Sequence, residues 1–96
     1  MSTLSKAAPT QSYYVISHTD EEGVVNAVAI HRLADSAAAC FKKLIADGDF
    51  QRYLELTRLC VNEFGYITDR QLLYTYTKSS GIVVDHLKGN VWAHVK

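Results

Sequence analysis

Strand-like and helix-like stretches alternate along the chain. The first apolar stretch, Tyr13-Tyr14-Val15-Ile16-Ser17-His18-Thr19, is dense in aromatic and β-branched side chains, which fit a pleated, half-buried surface, and it predicts a strand. Asp20-Glu21-Glu22-Gly23 interrupts it with a polar cluster ending in a residue that tolerates positive φ, and Val24 to Leu33 resumes the apolar run. Together they predict a β-hairpin. A helix over 24–46 is the competing arrangement, because alanine is frequent there and Val24, Val28 and His31 would share a face. The density of β-branched residues favours the hairpin.

Beyond Leu33 the period changes. Ala37, Cys40, Phe41, Leu44 and Ile45 recur at intervals of three and four, which places them on one face of a helix and turns Lys42 and Lys43 to water. Asp35 or Ser36 is placed to cap its start, and Asp47-Gly48 to end it. From Asp49 to Gly65 two patterns overlap. Phe50, Tyr53, Leu54, Thr57, Val61 and Phe64 follow helical spacing, whereas Leu54, Leu56, Arg58 and Cys60 alternate with Tyr53, Glu55, Thr57 and Leu59 as in a strand. The helix is slightly preferred. Residues Leu72 to Lys78, Ile82 to Lys88 and Val91 to Val95 are β-rich, separated by Ser79-Ser80-Gly81 and Gly89-Asn90. A two-residue Gly-Asn loop sets Leu87 opposite Trp92, His86 opposite Ala93 and Asp85 opposite His94. Asp85, Leu87, Trp92 and His94 would then share one face. The expected architecture is α+β: an antiparallel β-hairpin, one or two helices packed on the sheet, and a C-terminal β-meander.

Length and composition narrow the class. Ninety-six residues, 48% hydrophobic and 21% charged, match one globular domain. The small, polar segment 1–12, with the chain's single proline at Pro9, reads as a flexible leader to a single domain over 13–96. Ten basic and ten acidic residues cancel, so neither the basic excess of a nucleic-acid binder nor the acidic excess of a DNA mimic is present. A net charge near zero gives little protection against self-association and leaves room for a homodimer or a bound partner. Cys40 and Cys60 belong to no Cys-x-x-Cys pair and read as free, buried thiols. The amino terminus lacks the apolar core of a signal peptide, and no run reaches the length of a membrane span, so a cytoplasmic protein without membrane association is expected.

Candidate chemistry is sparse. Ser17-His18-Thr19-Asp20-Glu21-Glu22-Gly23 resembles the His-x-Asp-x-Asp-Gly segment of the DHH phosphoesterases, and Asp69 with Asp85-His86 echoes that family's later aspartate and Asp-His-His signature. The resemblance implies a two-metal phosphoesterase fragment, in which carboxylates and imidazoles hold cations that activate water and clamp a phosphate. Glu22 stands where the family has its second aspartate, and Leu87 where it has its second histidine. His18, His31 and Asp20 form a second candidate metal set, with a spacing that matches no zinc module. An Asp85–His94 pair would orient an imidazole as in a nucleophilic triad, but no serine or cysteine is placed beside it. Tyr74 and Tyr76 on one strand face would make a stacking platform for single-stranded bases, with only Arg70 and Lys78 flanking it.

No phosphate loop, nucleophile elbow or zinc-protease string occurs, and no catalytic residue, cofactor or metal is assigned. The expectation is a non-catalytic protein-binding module or inhibitor encoded by a phage or mobile element, with compact inhibitors such as anti-CRISPR proteins as an analogy of class alone. Nucleic-acid binding is the disfavoured alternative. The expected partner-binding residues are the acidic tip Asp20, Glu21 and Glu22, together with Asp85, Trp92 and His94 on the terminal hairpin.

Overall fold

A computed structural model describes residues 11–88 in full and the backbone of 90–93. Six strands and one helix follow in the order β1 (Gln11–Thr19), β2 (Val25–His31), α1 (Ala34–Asp47), β3 (Tyr53–Val61), β4 (Ile67–Thr77), β5 (Ile82–Asp85) and β6 (Asn90–Ala93). The strands form one antiparallel sheet in the order β2-β1-β3-β4-β5-β6. Both β2 and β3 run antiparallel to β1, so α1 is a crossover that carries the chain from the edge strand β2 past β1 to β3. The fold is α+β, with an N-terminal hairpin and C-terminal strands, as the residue pattern predicts.

One face of the sheet meets the helix. Ile16, Leu54, Leu56, Leu73, Tyr76 and Val83 bury against Ala37, Phe41 and Ile45, which lie four residues apart on α1. Phe50 closes the end of this core, edge-on to Tyr76 at 5.7 Å. Gly48 takes the left-handed conformation past the helix, its N–H bonded to the Leu44 carbonyl at 3.0 Å.

Five details differ from the expectations. Residues 53–61 form a strand rather than a helix: β3 is bonded on both sides, to β1 and β4, and its alternate residues Leu54 and Leu56 enter the core. The helix begins without a side-chain cap, since Leu33 holds the cap position and Asp35 lies inside the first turn, where its charge favours the helix dipole. Gln11 and Ser12 belong to β1, paired with Val61 and Cys60, not to the leader. Asp85 pairs with Asn90 and Val83 with Trp92, so a four-residue loop replaces the Gly-Asn turn. The cause is Asp85, whose Oδ1 accepts N–H bonds from Leu87 (2.9 Å) and Lys88 (3.1 Å) and so ends β5 early. Finally, Cys40 and Cys60 are free but half-buried rather than buried.

Candidate functional site

The acidic tip is a built turn. Asp20 Oδ1 accepts bonds from the backbone N–H of Glu22 and Val24, both at 2.9 Å, while Gly23 at φ +86° donates to the Asp20 carbonyl at 3.1 Å. Gly23 is required because an L side chain disfavours that conformation. Gln51 accepts the Glu21 N–H at 2.9 Å, tying the turn to the loop before β3. The Asp20 carboxylate is therefore occupied within the turn, whereas Glu21 and Glu22 are exposed and in no ion pair among the described residues.

The other expected partner-binding residues lie elsewhere. Asp85 is 5% exposed, with Oδ1 committed to its own loop. It sits on β5, separated from β1 by β3 and β4, which at about 4.8 Å per strand is roughly 14 Å across the sheet. Trp92 occupies the position opposite Val83 on the edge strand β6, and His94 is outside the described residues. The tip and the terminal hairpin thus belong to opposite sides of the sheet.

The candidate metal residues are also dispersed. His18 Nε2 accepts the Gln51 N–H at 3.2 Å, and His31 lies four positions along the hairpin, opposite Tyr14. Asp69 pairs with Cys60 near the start of β4, while His86 Nε2 bonds the Thr75 hydroxyl at 2.8 Å. Among the described residues no three His, Cys, Asp or Glu side chains converge where an ion could be held. Tyr74 and Tyr76 do share a face, but it is the helix face. Tyr74 packs against Phe41 at 6.1 Å and Tyr76 against Phe50, so neither ring offers an open stacking surface.

What the residue pattern does not single out is the opposite face of the sheet. No described element covers it. Val15 and Ser17 of β1, Val25 and Ala27 of β2, Leu59 of β3 and Leu72 of β4 line a trough of about 550 Å³, with Glu55 towards the acidic tip and Arg70 towards the other end. The trough runs into β2, an edge strand with no charged residue from Val24 to Ile30. Val25 is 59% exposed and Ile30 65%. This open apolar surface is the candidate site. Its signal was the outward set of an alternating strand, which becomes readable only once the helix identifies the inward set.

A second missed feature is the β3–β4 turn. Asn62 Oδ1 accepts bonds from the N–H groups of Phe64 (2.9 Å) and Tyr66 (3.0 Å), and Gly65 takes φ +87°. This fixed turn presents Phe64, 76% exposed, and Tyr66, 70% exposed. A smaller concavity of about 430 Å³ lies beside the start of α1, lined by Tyr14, Asp35, Arg58, Gln71 and Leu73. No described helix is long and apolar enough to cross a membrane. No family model, curated protein or solved structure matches the chain.

Proposed function

We propose that the chain is a non-catalytic protein-binding module, of adaptor or inhibitor type, whose partner seats an apolar ridge on the open face of the sheet. The observation that carries this reading is the trough formed by Val15, Val25, Leu59 and Leu72 on a face that no described element covers. Glu21 and Glu22, exposed in the turn that precedes β2, would steer a basic surface towards this end of the sheet, an effect that acts on the rate of encounter more than on its strength. The free thiols of Cys40 and Cys60 support a reducing compartment such as the cytoplasm.

The test is site-specific photo-crosslinking from Leu59 and, separately, from Lys42 on the solvent side of α1, in cells that express the protein. A discrete adduct from Leu59 that is absent from Lys42, and is lost in Leu72→Ser, supports the assignment. Equal labelling from both positions refutes it.

A further inference from the structure

Among the described residues no strand pairs with the outer edge of β2, and this edge has the composition of a pairing surface. Edge strands present a row of free N–H and C=O groups, and proteins that keep such edges single place lysine, proline or inward charges on them. β2 carries none of these from Val24 to Ile30, and its one protective device is the bulge at Val28, where Ile16 pairs with Ala29 and the adjacent Ser17 with Ala27. Its two ends are oppositely charged. Glu21 and Glu22 precede the strand, while Arg32 follows it, stacked on Tyr13 at 5.2 Å and without a carboxylate partner among the described residues.

A strand of this polarity is complementary to itself in the antiparallel sense. With a two-fold axis near the middle of β2, the acidic turn that precedes the strand falls beside the partner's Arg32. Both charged ends are then matched, and both apolar stretches coincide. A parallel neighbour would instead set like charges side by side. The formal net charge of zero leaves no global repulsion between copies. Resting on the protein-binding reading above, we infer that the occupant of this edge is a second copy of the chain, joined β2 to β2 in an isologous dimer. The two sheets become one, and Val25 and Ala27 of each copy bring the two troughs together across the axis.

The experiment is sedimentation equilibrium of the full chain over a concentration series, with circular dichroism to verify the fold of each variant. The wild type is expected to dimerise. Arg32→Glu, and separately the pair Glu21→Lys with Glu22→Lys, should each weaken the dimer by about tenfold or more, and Val28→Lys should do the same by placing charge on the edge. Combining the three reversals should restore the dimer to within about threefold of wild type, because opposite charges again meet. A wild type that stays monomeric, or a dimer indifferent to every one of these changes, overturns the proposal. Leu59 is on β3 and away from the edge, so Leu59→Gln should leave the dimer intact while removing capture of another protein. Loss of one property without the other separates failure of the dimer from failure of the binding face.

Discussion

Asp20 and Asn62 occupy the same position in two turns of the same construction. Each accepts two backbone N–H bonds on its Oδ1, from the residues two and four positions ahead, and each is followed three residues later by a glycine at positive φ. One turn presents Glu21 and Glu22; the other presents Glu63 and Phe64. Asp20→Ala and Asn62→Ala should each cost about 1–2 kcal/mol by removing an acceptor from two amides. Asp20→Asn and Asn62→Asp keep that oxygen and should change stability by less than about 0.5 kcal/mol. Urea unfolding of the four variants checks the pattern, and equal losses in all four would show that the side-chain oxygen is not what holds the turns.

Phe41 and Lys42 are neighbours on α1 with opposite environments, the first in the core and the second exposed. Phe41→Ala should destabilise the protein by about 3–5 kcal/mol, and Lys42→Ala by less than about 0.5 kcal/mol. Comparable shifts in thermal midpoint for the two would contradict the packing of the helix on the sheet.

That helix was legible because its apolar period has no strand-like competitor. Residues 53–64 carried both periods, and the helical one was misleading because it drew Phe64 and Tyr53 into a common face. The deciding signal was local: Asn62-Glu63-Phe64-Gly65 repeats the spacing of Asp20-Glu21-Glu22-Gly23, already read as a turn, and a turn there excludes a helix through Phe64. The register of the last hairpin was hidden for a related reason. Gly89-Asn90 has the composition of a two-residue loop, but an aspartate that captures two amides starts the reversal at Asp85. The exposed tip could be read from Asp20 to Gly23; the open face could not, since alternation defines two faces without saying which one a helix covers.

Lys78 joins the end of the helix to the sheet. Its Nζ donates to the carbonyls of Gly48 (2.8 Å) and Phe50 (2.7 Å) and lies over the Phe50 ring at 5.2 Å. Lys78→Met keeps most of the apolar stem and removes the charge, so the expected loss of about 1–3 kcal/mol isolates the polar contribution. Lys88→Met, in an exposed loop, is the control and should be near neutral by denaturant midpoint.

Asp85 is the buried carboxylate among the described residues, and its work is to form a loop. Asp85→Ala should cost about 1–3 kcal/mol, since two amides lose their acceptor, whereas Asp85→Asn should retain most of the stability. Amide exchange at Leu87 and Lys88 reports the same bonds directly: it should accelerate in the alanine variant and stay protected in the asparagine variant.

The crossover from β2 to β3 makes the two margins of the sheet unequal in how they come undone. The β2 margin is tied at both ends, to β1 by the acidic turn and to the interior strand β3 through α1, so releasing it means lifting the helix as well. The β6 margin is reached only by successive hairpins from β4 onward, and each can open without disturbing the one before it. Slow amides should therefore concentrate where β1 and β3 meet, with protection falling stepwise towards β6 and more abruptly, as a single cooperative unit, across β2 and α1.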